Sequence, residues 1–211
     1  MGEVRIVSQT APSRADVDEA VATLAFGGVL VMPTDSVYGI GCAAMPGNPA
    51  HERIFEIKRR PREQTLPWLI ADAGDLMRFA AELTPAALAL ATAFWPGALT
   101  LVVRAGDEVA PEYAGADGTI ALRLPDSALV RDIARRSGCA LATTSANTHG
   151  EDAAISGASV EPEIVAAADL TLDAGPAPIA QASTIVDVTG SDPRILRVGA
   201  ISPESIQAAL R

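Results

Sequence analysis

The sequence predicts an α/β fold, one domain with a mixed twisted sheet and flanking helices. Short β-branched and aliphatic runs recur along the chain, and helix-like segments with capping residues lie between them. The two kinds do not alternate strictly, which separates the pattern from a purely parallel, doubly wound sheet. No charge run, Ser/Gly tract or internal repeat marks a linker. Residues 1–211 are therefore read as a single domain.

The elements follow in order. Val4 to Val7 alternates as a short strand. Ser13 then caps a helix with Asp16 in its first turn and Val17, Ala20, Val21 and Leu24 on one face; Gly27-Gly28 ends it. Val29 to Met32 is a buried strand stopped by Pro33, and Thr34 to Gly41 reads as the polar loop that follows. A helix starting at Asn48 or Pro49 carries Ile54, Phe55 and Ile57 and is closed by Pro61, because the residue before a proline avoids helical angles. Leu66 to Ala71 is a strand, and Asp75 to Glu82 and Pro85 to Phe94 are helices, the second capped by Thr84 with proline at its first position.

Trp95-Pro96-Gly97 turns the chain into the strand Leu99 to Arg104. Gly118 to Leu124 is another strand, followed by a helix over Pro125 to Arg136 with Leu129, Val130 and Ile133 inward. Cys139 to Thr143 is a strand that empties into Thr144-Ser145-Ala146-Asn147. Strands near Ala168 to Leu172, Ser183 to Val188 and Ile195 to Val198 precede a short helix from Pro203.

Composition narrows the function classes. The formal net charge is −10, which argues against a nucleic-acid binder working through overall charge. Cys42 and Cys139 are not in a Cys-x-x-Cys pair and no secretory signal opens the chain, so they are expected to be reduced thiols of a cytoplasmic protein. His51 and His149 are the only histidines, too few for a structural zinc site, so no protein-held metal is expected. No apolar run is long enough to span a bilayer, so no membrane partner is expected. Walker, dinucleotide and Gly-x-Ser-x-Gly signatures are all missing.

The one lysine of the chain, Lys58, sits in its most basic stretch, Lys58-Arg59-Arg60-Pro61-Arg62. Arginine forks and a lysine point charge suit phosphate or carboxylate oxygens. The same cluster also suits a solvated helix end, where cations offset the macrodipole. Thr34 to Gly41, Thr143 to Asn147 and Ser183-Thr184 place polar residues at strand ends, where ligands commonly bind in α/β domains. Each segment taken singly is equally a turn or cap. Asp35, the one carboxylate inside these loops, could touch a substrate amine or a metal or make an Asx turn, and the turn is the reading adopted.

Taken together, the blocks resemble the YrdC/Sua5 family in its short form. Pro33-Thr34-Asp35-Ser36-Val37-Tyr38-Gly39-Ile40-Gly41 is similar to the family's opening motif, Ile54-Phe55 to Lys58-Arg59-Arg60-Pro61 to its Lys-x-Arg motif, and Ser145-Ala146-Asn147 to its Ser-x-Asn motif. Phe94 to Gly97, Ser183 to Asp187 and Ile195 to Ile201 match further blocks in the right order. Ser36, Thr65 and His149 depart from the usual residues.

The resemblance implies a YrdC-like fold and an L-threonylcarbamoyladenylate synthase. Such a nucleotidyltransferase converts L-threonine, bicarbonate and ATP to threonylcarbamoyl-AMP and pyrophosphate for tRNA N6-threonylcarbamoyladenosine synthesis. It also implies roles. Lys58, Arg60, Gln64, Thr119, Asn147 and Arg197 would hold ATP; Thr34, Arg123, Ser145 and Ser183 would hold threonine; Lys58, Arg60, Ser145 and Asn147 would be catalytic. Magnesium would enter with ATP, and a downstream tRNA threonylcarbamoyl-transferase complex would take the product. Direct tRNA binding would be weak or nil. A double-stranded RNA-binding module is the alternative reading.

Overall fold

A computed structural model describes residues 3–211. Among these, ten strands form one sheet in the order β1-β8-β2-β3-β7-β4-β6-β5-β9-β10. The strands are β1 Glu3–Ile6, β2 Leu30–Met32, β3 Gly39–Ala43, β4 Trp68–Leu69, β5 Leu99–Arg104, β6 Thr119–Arg123, β7 Leu141–Ser145, β8 Leu170–Asp173, β9 Thr184–Asp187 and β10 Arg194–Arg197. The helices are α1 Arg14–Ala25, α2 Pro49–Lys58, α3 Asp75–Phe79, α4 Pro85–Phe94, α5 Ala128–Ser137, α6 Pro162–Ala167 and α7 Pro203–Ala209. Parallel ladders (β1 on β8, β2 on β8, β4 on β6, β5 on β9) mix with antiparallel ones, as the irregular alternation predicts.

The predicted caps at Ser13 and Thr84 form, and Asn48 and Ser202 cap two further helices. Ser13, Asn48, Thr84 and Ser202 each accept a backbone N–H of the first helical turn, so one otherwise orphaned donor is satisfied at each start. Several boundaries differ from expectation. Gly39 to Ala43, whose first three residues were expected as loop, is β3, with a full ladder on β7 from Gly39↔Ser145 to Ala43↔Leu141. Two glycines in three residues hide the strand pattern, and packing explains them. A Cβ on Gly41 would stand 2.6 Å from Thr143 Oγ1 and 2.9 Å from the Ala142 carbonyl, and one on Gly39 would stand 2.7 Å from Thr143 Cγ2. The helix expected to reach Glu82 stops at Phe79, because Ala80 turns extended and bridges Ala105. The expected strand from Leu66 narrows to Trp68–Leu69, since Pro67 has no N–H to give, although the Pro67 carbonyl still accepts Thr143 N at 2.8 Å. Helix α6 was not foreseen; its six residues are too few to show a periodicity.

The two faces of the sheet are covered unequally. On one face α2, α3, α4, α6 and α7 pack against a core that draws on β2, β3 and β7 and equally on β4, β5, β6 and β9, including Trp68, Leu101, Leu122 and Val186. On the other face α1 and α5 cover Leu30, Met32, Ala43, Leu69, Leu141, Leu170 and Leu172. That second core takes no residue from β5, β6, β9 or β10. Strand alternation therefore turns Thr100, Val102 and Arg104 of β5 and Thr119, Ala121 and Arg123 of β6 onto a face without a helical cover.

Candidate active site

The basic stretch divides at the end of α2. Arg59 takes the left-handed conformation (φ 51°) and closes the helix, so Lys58 turns inward and Arg60 swings round the corner. Lys58 is 1% exposed. Its Nζ donates to the Ser145 carbonyl at 2.5 Å and to the Asn147 carbonyl, which leaves one N–H of the ammonium for a ligand. Its own carbonyl accepts His149 N at 2.9 Å, and the His149 side chain is exposed. Arg60 donates Nε to the Gln64 carbonyl and Nη2 to the Thr65 carbonyl. Arg59 and Arg62 stay outside, where Arg62 pairs with Glu52. Of the four clustered cations Lys58 is thus buried and Arg60 partly buried, while Arg59 and Arg62 form the solvated helix end.

Arg197 of β10 comes to the same place from the far end of the sequence. Its Nε and Nη2 donate to the Ser183 carbonyl (3.1 and 2.9 Å), and Nη2 reaches Ser183 Oγ at 3.1 Å. Gly199 makes this close lie possible, for a Cβ there would stand 2.2 Å from the Ala182 carbonyl. Thr184 Oγ1 fastens the pass by accepting Gly199 N and Ile201 N.

These cations press on one another. Burial, and then the charge of Arg60, pushes the Lys58 ammonium down to about 8, with Glu161 opposing. Burial, and then Arg197, lowers Arg60, while burial lowers Arg197 itself. Burial also lowers Arg123, partly offset by Asp35 and reinforced by Arg197. A set of half-desolvated cations with little carboxylate among them is poised for an anion, which would relieve both the desolvation and the repulsion.

Arg123, 6% exposed, ends β6 and is gripped on three sides. Nε donates to the Gly97 carbonyl at 3.0 Å, Nη1 to Ser36 Oγ at 2.6 Å and Nη2 to Asp35 Oδ1 at 2.5 Å. Three of five N–H groups are engaged, one from each nitrogen, so each Nη keeps one. Asp35 is therefore not a plain Asx turn but the buried partner of an arginine 88 residues away. Sequence gave no sign of that pairing, nor of the roles of Ser36 and of Thr100, whose hydroxyl meets Ser183 Oγ at 2.8 Å. Thr34, 3% exposed, shapes the loop: Oγ1 donates to the Val37 carbonyl at 2.6 Å and accepts Ser36 N and Val37 N. Tyr38 anchors the loop's end through its hydroxyl, which bonds Asp173 and the Gly175 carbonyl.

The remaining expected residues fall at varied places. Asn147 is 6% exposed, with Nδ2 on the Thr148 and Glu151 carbonyls and Oδ1 buried without a partner. Ser145 closes β7 beside it. Gln64 is exposed, and its carbonyl rather than its amide meets Arg60. Thr119 shares the uncovered face of β6 with Arg123 but lies four residues, roughly 13 Å, along the strand; its hydroxyl donates to Asp117. The structure thus unites Lys58, Arg60, Ser145 and Asn147 on one side and Arg123, Thr34, Ser183 and Arg197 on the other, with Thr119 and Gln64 at the periphery.

A cleft of about 490 Å3 lined by Val37, Asp152, Ala153, Ala154, Ile155 and Ala180 to Ala182 opens beside Ser183. A second, of about 570 Å3, is lined by Arg59, Thr148, Glu151, Asp152, Glu161 and Glu163; its four carboxylates outweigh the one cation and disfavour an anion.

Comparison with known proteins gives a consistent picture. The Sua5/YciO/YrdC family model, described as "Telomere recombination", matches residues 22–199. A putative threonylcarbamoyl-AMP synthase of Mycobacterium tuberculosis is 34% identical over 191 residues, 90% of this chain and 87% of that protein. The threonylcarbamoyl-AMP synthase of Bacillus subtilis is 31% identical over 208 residues, 98% of this chain and 60% of the relative. The crystal structure of Pyrococcus abyssi Sua5 complexed with L-threonine superposes with a TM-score of 0.92 at 30% identity, over 98% of this chain and 60% of that one. Escherichia coli YciO, at 24% identity and a TM-score of 0.86, covers 98% of this chain and 100% of its own and bears on the fold alone. The chain thus spans about 60% of the length of the B. subtilis and P. abyssi proteins.

Proposed function

The chain belongs to the Sua5/YciO/YrdC family, and on that premise we infer that it is a threonylcarbamoyl-AMP synthase. It condenses L-threonine, bicarbonate and ATP to threonylcarbamoyl-adenylate and pyrophosphate, the activated intermediate for N6-threonylcarbamoyladenosine in tRNA. The observation that carries this reading is the meeting of Lys58, Arg60, Arg197 and Arg123, drawn from widely separated segments into one mutually repelling set beside a single internal carboxylate, Asp35.

In the reaction the threonine amine first takes up carbon from bicarbonate to give a carbamate, and water leaves. A carbamate oxygen then attacks the α-phosphorus of ATP, and the bond to the β-phosphate bridging oxygen breaks, releasing pyrophosphate. Little of this needs a strong base from the protein. It needs alignment of the two ends and offsetting of charge at the phosphates. Lys58, Arg60 and Arg197 serve the phosphates, each retaining N–H groups without a protein acceptor among the described residues. Asn147 and, more peripherally, Thr119 and Gln64 serve the nucleotide. Arg123, Thr34 and Ser183 serve the amino acid, and Ser145 lies between the two.

Magnesium fits as a companion of the triphosphate. Among the described residues no group of three or more His, Cys, Asp or Glu could hold a metal, so the ion would ride on phosphate oxygens and water, offsetting their charge. No described helix is long and apolar enough to cross a membrane; a cytoplasmic setting, and a transferase complex that consumes the product, belong to the same reading.

Pyrophosphate release is the test. Purified protein with ATP, magnesium, bicarbonate and L-threonine is expected to release it, and omission of threonine or bicarbonate is expected to stop it. Equal release without threonine would refute the assignment.

A further inference from the structure

The Asp35 carboxylate is only half used. Oδ1 accepts Arg123 Nη2 at 2.5 Å, while Oδ2 is buried and has no hydrogen-bond partner. The residue is 3% exposed, so bulk water does not satisfy that oxygen, and an unmet charged acceptor in such a place is costly. Alongside it Arg123 has two unengaged N–H groups, since Gly97, Ser36 and Asp35 account for three of five. One buried ion pair therefore presents an empty negative acceptor next to empty positive donors. That pattern complements an α-amino acid zwitterion, in which ammonium and carboxylate branch from one carbon.

We propose that Asp35 reads the substrate ammonium through Oδ2 while Arg123 holds the carboxylate of the same molecule. This rests on the synthase reading above and adds a specificity residue to it. The ligand class is an α-amino acid, discriminated from the α-hydroxy acid of the same shape. The Ser36 hydroxyl, which receives Arg123 Nη1 at 2.6 Å, acts differently: it only positions the arginine.

The alternative is that Asp35 also does nothing but aim Arg123. The two are separated by titration calorimetry of the full chain with L-threonine and with 2,3-dihydroxybutanoate of matching stereochemistry, in which a hydroxyl replaces the ammonium. Wild-type protein is expected to favour threonine. Asp35→Asn keeps an acceptor for Arg123 and puts an amide N–H donor where Oδ2 was. It is expected to weaken threonine by about 10- to 100-fold, the range for loss of a hydrogen bond to a charged group, and to leave the hydroxy acid nearly unchanged. Ser36→Ala is expected to weaken both ligands by one common factor, and ATP binding by Asp35→Asn reports that the fold is intact. Equal weakening of both ligands in Asp35→Asn overturns the proposal. So does equal affinity of wild-type protein for the two ligands, a result that needs no variant to fold. Absence of any threonine binding to the wild-type protein would overturn the synthase reading itself, and this proposal with it.

Discussion

Lys58 is a lysine that folding makes reluctant to stay charged. Its ammonium lies at about 8 against an ordinary 10.5, chiefly through burial. Between those two values the unfolded chain keeps a proton that the folded chain has released, so stability is expected to rise with pH across that window. Nucleotide binding runs the other way. Phosphate oxygens favour the charged form, so above about pH 8 the free protein must take up a proton to bind. Affinity for ATP is then expected to fall by up to about tenfold per pH unit beyond 8. Calorimetry in buffers of different ionisation enthalpy would register the uptake, and Lys58→Met should remove it. A proton count that is zero at pH 8.5 would show that Lys58 does not meet the phosphates. Loss of either cation is expected to be severe: Lys58→Ala and Arg60→Ala should each lower turnover by about two to three orders of magnitude, as loss of one charge-stabilising donor does. Wild-type turnover in both would show that neither offsets charge on the reacting phosphates. The stretch that holds Lys58 and Arg60 stood out in the sequence because lysine occurs nowhere else. The pairing of Asp35 with Arg123 was not, since a buried ion pair between distant positions leaves no local trace.

At the scale of elements, β3 is the instructive one. Glycine is depleted in strands, so Gly39-Ile40-Gly41 reads as loop; β3 forms through its ladder with β7, which lies too close at both glycines for a larger residue. Gly41→Ala is expected to cost about 1–3 kcal/mol, the range for overpacking, seen as a lowered denaturation midpoint. Adding Thr143→Ala should restore part of the loss, because it removes the Oγ1 2.6 Å away but not the Ala142 carbonyl. No destabilisation in Gly41→Ala would mean that the two strands can part more easily than their full ladder implies. Capped helices such as α1 and α4 were readable to within a residue or two, as their signals lie in consecutive residues. Elements set by partners, including β3, the shortened α3 and the two-residue β4, were not.

The whole molecule carries a formal charge of −10, and its most basic stretch holds two of the cations proposed for ATP, Lys58 and Arg60. Transfer RNA is therefore expected to bind weakly at about 0.15 M salt, with excess ATP displacing what binds near Lys58. Filter binding would settle it, and sub-micromolar binding indifferent to ATP would reveal a separate RNA surface. The strand order, unlike the presence of strands, could not be read from the sequence, because its neighbours lie far apart along the chain. That same order has a consequence for how the protein is made. Strand β1 has its ladder with β8, beginning at Glu3↔Leu170, so on a translating ribosome the first strand emerges and then waits for a partner still to be synthesised. At typical elongation rates the delay is roughly ten to thirty seconds. Throughout it, Val4 and Ile6 stand beside unpaired backbone, the condition under which nascent chains recruit chaperones or aggregate. Messages truncated before the codon for Leu170 should accordingly yield insoluble product, and because the proposed pocket draws on residues from Thr34 to Arg197, the nascent chain would acquire its affinity for nucleotide only once Arg197 has emerged.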